Sequence, residues 1–227
     1  MVTSISHGEA MKRRVAILIS GRGSNMAALI QAATAGDFPA EIVVVISNRG
    51  DAGGLERAKA SGIPTVSIES RPFGKDRAAF EAALQAALDW YKVELICLGG
   101  FMRLFTAEFV QRWYGRMLNI HPSLLPSFPG LEPQAQALRA GVKISGATVH
   151  FVIPETDAGP ILMQGAVAVR DDDTPDTLAA RILEVEHRIY PDALRLVAGG
   201  QIRLEGGICK TAGRGVSDDV LISPTIT

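Results

Sequence analysis

The amino-acid sequence predicts an α/β fold: a Rossmann-like open sheet, mostly parallel with a mixed or antiparallel far edge, with helices on both faces. Short apolar runs rich in β-branched residues alternate with stretches of helical spacing. A glycine-rich turn and a helical stretch separate the first run, residues 15–19, from the second, residues 41–47, and such a unit makes its two strands parallel. After His121 a proline-rich loop leads to two strands joined by a short loop, which predicts the change of direction at the far edge.

Each element is predicted from a local pattern. The apolar runs predict strands at residues 15–19, 41–47, 65–68, 94–98, 117–121, 147–153 and 161–169. Helical spacing predicts helices at residues 25–35, 53–61, 76–90, 106–114, 134–140 and 174–197. Thr106 caps the fourth helix with Glu108 near its positive end, and Pro175 takes a favoured first-turn position in the last.

Length and composition indicate one domain: the chain has 227 residues and 47% of them are apolar. We expect a flexible extension at residues 1–11, the folded domain at residues 12–204 and a weakly ordered tail at residues 205–227. The net charge of −1 creates no field that would attract nucleic acid or an anionic membrane. The two cysteines lack metal-site or disulfide spacing, and neither a long apolar span nor a secretory signal is present, so we expect a cytoplasmic protein.

The glycine-rich turn after the first strand has the features of a phosphate site. Gly21 and Gly23 allow close backbone approach, and free N–H groups at the start of the next helix supply positive potential. The Ser24 hydroxyl and the Asn25 amide add donors. A dinucleotide is disfavoured, because a third glycine is missing and the second strand ends in Ser-Asn rather than in a carboxylate. Arg49 keeps an NADP-binding oxidoreductase as an alternative, and an ordinary tight turn is another.

Asn119 and His121 lie two residues apart at the carboxyl end of the fifth predicted strand, so their side chains point the same way. Open α/β sheets bind ligands at this end of their strands. Both side chains can donate to the oxyanion that forms when a carbonyl becomes tetrahedral, and histidine can also pass a proton. Asp157 is the best candidate for a carboxylate that favours the imidazolium, with Glu155 as its competitor. A satisfied strand-end histidine and a solvated loop carboxylate are the structural alternatives.

Six segments of the chain carry a resemblance to a known family. They are SGRGSN (20–25), GGFMRLF (99–105), LNIHPSLLPSFPG (118–130), SGATVHFV (145–152), ETDAGPIL (155–162) and EHRIYP (186–191). In order and spacing they resemble the glycinamide ribonucleotide formyltransferases, within the superfamily that uses formyltetrahydrofolate. The resemblance spans residues 13–201, so it identifies residues 12–204 as a formyltransferase domain.

The resemblance implies a role for each matching residue. The implied phosphate-binding residues are Gly23, Ser24 and Asn25, and Glu186 is implied to meet the glycinamide end of the substrate. The implied catalytic residues are Asn119, His121 and Asp157, with His150 outside direct contact with substrate. The implied lining of the folate slot is Arg77, Met102, Arg103, Leu104, Phe105, Asn119, Ile153, Pro154, Glu155, Thr156 and Asp157. Arg77 is implied to lie near the benzoyl-glutamate tail of the folate.

The reaction implied by the resemblance moves a formyl group from 10-formyltetrahydrofolate, a cosubstrate, to the amine of 5′-phosphoribosylglycinamide in purine biosynthesis. It uses small-molecule substrates and no metal, nucleic acid or membrane, and the protein would be a monomer or a homodimer. Two departures from the family stand out: Glu132-Pro133-Gln134 replaces a stretch that often carries two histidines, and Leu183 replaces a polar phosphate contact.

Other classes remain as alternatives to this expectation. Within the superfamily they are formyltetrahydrofolate deformylase and methionyl-tRNA formyltransferase, whose additional N-terminal and C-terminal domains we do not expect in this chain. The neutral net charge also argues against tRNA as a substrate. Outside the superfamily, a non-catalytic nucleotide-binding module would leave the pair Asn119 and His121 unexplained.

Overall fold

The computed structural model describes residues 11–212 and residue 223 of the chain. Its strands are β1 (Arg13–Ile19), β2 (Ala40–Ser47), β3 (Thr65–Ser67), β4 (Leu95–Leu98), β5 (Met117–His121), β6 (Ile144–Phe151), β7 (Ile161–Ala168), β8 (Ile202–Glu205) and β9 (Ile208–Thr211). Its α-helices are α1 (Ser24–Ala33), α2 (Gly53–Ala60), α3 (Arg77–Trp90), α4 (Ala107–Arg112), α5 (Pro133–Ala140) and α6 (Pro175–Ala198), and a short 3₁₀ helix lies at Arg71–Phe73.

Strands β1 to β7 form one sheet in the order β3-β2-β1-β4-β5-β6-β7. The first five strands pair in parallel, and the pairs β5–β6 and β6–β7 are antiparallel. The predicted fold class is therefore confirmed, including the change of direction at the far edge. The parallel part follows from the helical crossovers, since two parallel strands need a long connection between them.

Both faces of the sheet are covered, so β4 is apolar and buried along its whole length and β1 is so from Val15 onward. One core cluster contains the inner faces of α1 and α6, and Tyr190 is its largest fully buried side chain. The other contains Phe80, Leu84 and Leu88 of α3 together with Trp113 after α4. The two clusters leave the carboxyl ends of the parallel strands as the open end of the sheet.

Most predicted elements agree with the structure to within a few residues, and β6 shows the main difference. The apolar pattern predicts a start at residue 147, whereas β6 begins at Ile144 because it pairs with β7 from Ile144 opposite Ala168 onward. Gly146 lets the two strands approach there, since a Cβ on it would lie 2.0 Å from the Gly165 carbonyl oxygen. The cap of Thr106 and the first-turn position of Pro175 are confirmed, with Glu108 in the first turn of α4.

The expected weakly ordered tail begins at residue 205, which is the last residue of β8 in the structure. Strands β8 and β9 form an antiparallel hairpin whose second strand ends at Thr211, and Ile202, Leu204 and Cys209 pack against the larger core cluster. Apolar side chains alternate too weakly in this stretch to predict the hairpin from sequence. The rest of the tail, apart from residue 223, and the extension at residues 1–10 lie outside the described residues. Among the described helices, none has the length and apolar character needed to cross a membrane.

We predict that Gly146→Ala destabilises the protein by about 3 kcal/mol, because the new methyl group would overlap the Gly165 carbonyl oxygen of the neighbouring strand. Equilibrium unfolding in urea measures the change. The control is Gly36→Ala, whose new Cβ would meet nothing within 4 Å and should change stability by less than about 1 kcal/mol. Equal unfolding free energies for the two variants would contradict the close approach of β6 and β7.

Candidate active site

The pairing of β5 with β6 places four polar side chains at the open end of the sheet. Asn119 stands opposite His150 in the register, and His121 stands opposite Thr148. The loop between β6 and β7 then returns across this end and brings Asp157 to the same group. The structure therefore brings together the two strand residues and the loop carboxylate that the sequence singles out.

The Asp157 carboxylate contacts three groups and is largely buried. Its Oδ2 lies 3.4 Å from His121 Nδ1 and accepts a hydrogen bond of 2.8 Å from the Gly130 N–H, and its Oδ1 lies 3.8 Å from His150 Nε2. The backbone of Asp157 has a φ of +54°, a conformation that few residues other than glycine adopt. The strained backbone and the converging contacts indicate that surrounding structure determines the place of this carboxylate.

Gly159 explains why the loop after Asp157 takes this path. A Cβ at Gly159 would lie 1.8 Å from the Phe151 carbonyl oxygen, so only glycine allows the loop to pass so close to the end of β6. Pro160 then leads into β7, and its carbonyl oxygen accepts the Phe151 N–H at 2.9 Å. The D-x-G-P segment is thus a local constraint that turns the Asp157 side chain toward the histidines.

The His121 ring is held at both nitrogens. Its Nε2 is 2.9 Å from the Phe128 carbonyl oxygen, and its Nδ1 faces the Asp157 carboxylate. A carbonyl and a carboxylate can only accept, so both contacts are favourable only when each ring nitrogen carries a proton. The geometry therefore suits the imidazolium form.

His150 has the opposite character. Its Nδ1–H donates to the Phe151 carbonyl oxygen at 2.9 Å, so in the neutral ring Nε2 is an acceptor for the Asn119 amide, 3.2 Å away. Burial lowers the pKa of His150, while the Phe151 carbonyl and the Asp157 carboxylate oppose that shift. A neutral His150 directs the Asn119 NH₂ group toward itself and leaves the second N–H of that group for another acceptor.

A cavity of about 230 Å³ opens beside these residues. Ten of the eleven side chains expected in the folate slot line it: Arg77, Arg103, Leu104, Phe105, Asn119, Ile153, Pro154, Glu155, Thr156 and Asp157. Met102 does not line the cavity; the residue is 75% exposed, and its N–H donates to the Ser20 hydroxyl. His150, which is expected behind the residues that contact substrate, also lines the cavity, and its lack of direct contact with substrate stays a prediction.

The cavity wall near Arg103 is built on aromatic rings. The rings of Phe80, Phe101, Phe105 and Phe109 follow one another with centroid separations of 6.5, 5.3 and 4.9 Å. The guanidinium of Arg103 lies 4.8 Å from the Phe80 centroid, which is a cation–π contact. Its Nε is buried and has no hydrogen-bond partner within the described residues, so this wall offers an unused donor.

The glycine-rich turn has the geometry of a phosphate site, but one of its predicted donors is engaged elsewhere. Gly23 has a φ of +67° and precedes α1, so the backbone N–H groups of the first turn remain free of side-chain caps. The Asn25 side chain donates to Glu186 Oε2 at 2.7 Å instead of projecting from the turn. Asn25 and Glu186, which were expected at opposite ends of the substrate, are therefore in direct contact.

An NADP site finds little support in the structure. Arg49 forms two hydrogen bonds with Asp51, at 3.0 and 2.8 Å, which occupy its guanidinium. Asn48 at the end of β2 accepts from the Ser20 hydroxyl at 2.6 Å, so no carboxylate stands where a ribose would need one.

The segment just before the altered stretch Glu132-Pro133-Gln134 takes part in the site through the backbone of Gly130. Glu132 has a φ of +52° and precedes α5, while Gln136 donates to the carbonyl oxygens of Pro129 and Leu131. These bonds hold Gly130, whose N–H reaches Asp157. The loop thus orders the carboxylate without the histidines that the family often carries.

Several residues of the site escape prediction from sequence. The apolar part of the cavity lining has no signal that separates it from ordinary core: Leu98, Phe101, Val110 and Val152. Phe128 and Gly130 act through backbone atoms, which any residue possesses. The register of β5 and β6 is the signal that predicts the direct contact between Asn119 and His150, once the antiparallel pairing is known.

Comparison with known proteins agrees with this geometry. Residues 13–194 match the family described as formyl transferase. The phosphoribosylglycinamide formyltransferase of Escherichia coli (strain K12) is 40% identical over 190 residues, which are 84% of this chain and 89% of that protein. The trifunctional purine biosynthetic protein adenosine-3 of Homo sapiens is 47% identical over 203 residues, 88% of this chain, but the chain spans only 20% of that relative.

A solved structure shows the same likeness in three dimensions. Glycinamide ribonucleotide transformylase 1 from Symbiobacterium toebii superposes with a TM-score of 0.85 at 47% identity, covering 88% of this chain and 94% of that one. The chain therefore belongs to the formyl transferase family, among the phosphoribosylglycinamide formyltransferases.

Proposed function

We propose that the chain transfers the formyl group of 10-formyltetrahydrofolate to the amine of 5′-phosphoribosylglycinamide, giving the N-formyl product and tetrahydrofolate in purine biosynthesis. The observation that carries the proposal is that Asn119 and Asp157 line a cavity while His121 lies directly beside Asp157. The family match and the names of the relatives support formyl transfer in that biosynthesis.

The cavity has the properties that a folate requires. One wall is aromatic and apolar, which suits a flat ring, and Arg77 with Arg103 supplies positive charge for the carboxylates of the glutamate tail. The unpartnered Nε of Arg103 adds a donor. In the proposed complex, the exposed side chain of Leu104, which lines the cavity, covers the bound ring, and this contact accounts for an apolar residue that is 59% exposed.

The chemical step joins the amine nitrogen to the formyl carbon. The carbonyl oxygen becomes an oxyanion, which takes one N–H from Asn119 and one from the His121 Nε2, in place of the Phe128 carbonyl oxygen that this nitrogen contacts now. The bond from the formyl carbon to the folate nitrogen then breaks. The amine loses one proton and the folate nitrogen gains one, so atoms and charge balance.

Asp157 has two tasks in this step. Its Oδ2 faces His121 Nδ1, so it keeps the ring oriented and compensates the positive charge. A water held by the carboxylate relays the proton from the amine to the folate nitrogen. No metal takes part in the proposed step, and this independence of a metal remains a prediction.

The ribonucleotide phosphate binds at the glycine-rich turn. The backbone N–H groups at the start of α1, together with the helix dipole and the Ser24 hydroxyl, supply the donors. Leu183 offers no polar contact here, so the turn carries most of this interaction.

The main alternative is hydrolysis of the same formyl donor, with water in place of the amine. An absorbance assay of tetrahydrofolate release separates the two functions when run with the ribonucleotide and with water alone. We expect release to depend on the ribonucleotide and the N-formyl product to appear in equal amount. Release at the same rate without the ribonucleotide would identify a deformylase and overturn the proposal.

We predict that His121→Ala lowers kcat by about 10²-fold to 10³-fold, since it removes an oxyanion donor and a proton carrier. Folate affinity should stay within a few-fold, because His121 does not line the cavity in this structure. Steady-state turnover and equilibrium titration with the folate measure the two quantities. Near-normal turnover combined with a large loss of folate affinity would show that His121 binds the folate and does not take part in the chemical step.

A further inference from the structure

Asn25 and Glu186 form a buried contact that joins two distant parts of the chain. Asn25 lies in the first turn of α1 and Glu186 in the middle of α6, 161 positions away, and both residues are more than nine-tenths buried. The Asn25 Nδ2 donates to Glu186 Oε2 at 2.7 Å. An N–H donated to a buried carboxylate is a strong interaction, so it determines how the Glu186 side chain points.

The Asn25 amide oxygen has no hydrogen-bond partner among the residues that the structure describes. It is buried, and nothing in the described part of the chain donates to it. An acceptor left unpaired in the interior costs free energy, and such groups in native proteins often belong to a ligand site. A phosphate offers mainly acceptor oxygens, so it does not satisfy this atom. An amine or a hydroxyl group does.

We propose that Asn25 is a positioning residue for Glu186. The N–H of the Asn25 side-chain amide holds one oxygen of the Glu186 carboxylate. The Asn25 amide oxygen and the second carboxylate oxygen are then a pair of acceptors for the amine or hydroxyl donors of the ribonucleotide. This inference rests on the proposed function. It assigns the side chain of Asn25 to the donor-bearing end of the substrate and not to the phosphate, whereas the backbone N–H of Asn25 still binds the phosphate.

Because the Glu186 carboxyl can take up a proton, the pH dependence of substrate use and of stability tests the arrangement. Burial raises the pKa of Glu186, and the hydrogen bond from Asn25 opposes that rise. Helix α1 and strand β7, which pack against α6, contain no titratable side chain, and the other elements packed against α6 contain Arg139 in α5, His150 in β6 and Glu41 in β2. Glu41 pairs with Arg14, and Tyr190 of α6 has a pKa raised well above its ordinary value, chiefly by burial.

Removing the Asn25 amide should therefore raise the pKa of Glu186 further. In Asn25→Ala the carboxyl stays protonated to higher pH, so the acid limb of kcat/KM for the ribonucleotide moves to higher pH. We also expect the KM of the ribonucleotide to rise about ten-fold at neutral pH, with kcat changed less. Asn25→Ser, which keeps a shorter donor, should shift the limb less than Asn25→Ala.

The matched control is Ser24→Ala, in the same turn, which removes a phosphate donor and should raise the KM without moving the acid limb. The second arm repeats Asn25→Ala in a Glu186→Gln background, where the shift should vanish because no carboxyl remains to titrate. A KM increase that is independent of pH and equally large in both backgrounds would overturn the proposal, since Asn25 would then act at the phosphate alone.

Urea unfolding without substrate keeps this test separate from the proposed function. A carboxyl whose pKa is raised in the folded state destabilises that state as pH rises through its ordinary range. The stability lost in Asn25→Ala should thus be greatest at neutral pH and shrink in acid, and only when Glu186 is present. If this pattern holds while the wild-type protein transfers no formyl group to the ribonucleotide, the proposed function fails and the coupling of Asn25 to Glu186 stands. A loss independent of pH in both backgrounds contradicts the coupling.

Discussion

The carboxylate of Asp157 is the contact on which the rest of the site depends. It meets the imidazole of His121 and lies near that of His150, and it accepts the N–H of Gly130 from the loop that follows β5. These partners come from two strands and a loop, so no one of them could hold the geometry alone. The close passage of Gly159 past the end of β6 directs the carboxylate to this place, at the cost of a backbone conformation that aspartate rarely adopts.

The two histidines of the site have different tasks because their partners differ. His121 faces two acceptors, whereas the Nε2 of His150 is closer to the Asn119 amide, at 3.2 Å, than to the Asp157 carboxylate, at 3.8 Å. In the proposed reaction His121 supplies positive charge where the oxyanion forms. His150 stays neutral and controls which way the amide of Asn119 is turned. One end of a sheet can thus hold a charged and a neutral imidazole side by side.

Sequence patterns predict the sheet because burial on both faces leaves continuous apolar runs, which are typical of parallel strands. They predict the α-helices because the apolar residues between these runs recur at helical spacing. They predict Asn119 and His121 as a pair because the period of a strand is two. They do not predict contacts made by backbone atoms, such as those of Phe128 and Gly130. They also miss the bond between Asn25 and Glu186, since nothing local links residues 161 positions apart.

The hairpin β8–β9 and the altered loop show how tertiary contacts override local signals. The hairpin forms where the sequence pattern is weak, because Ile202, Leu204 and Cys209 find apolar partners in the larger core cluster. Loop residues 130–136 order Asp157 by main-chain and glutamine hydrogen bonds. The chemistry proposed for His121 therefore does not require the histidines that are absent from this loop.

The most direct test of the account is the turnover of Asp157→Asn, which keeps the shape of the side chain and removes its charge. An amide oxygen can still accept the Gly130 N–H, so the loop should stay in place and folate affinity should remain within a few-fold. Because the His121 ring loses its charged partner, we predict that kcat falls by about 10²-fold to 10⁴-fold. A kcat within a few-fold of the wild-type value would contradict the central role assigned to the Asp157 carboxylate.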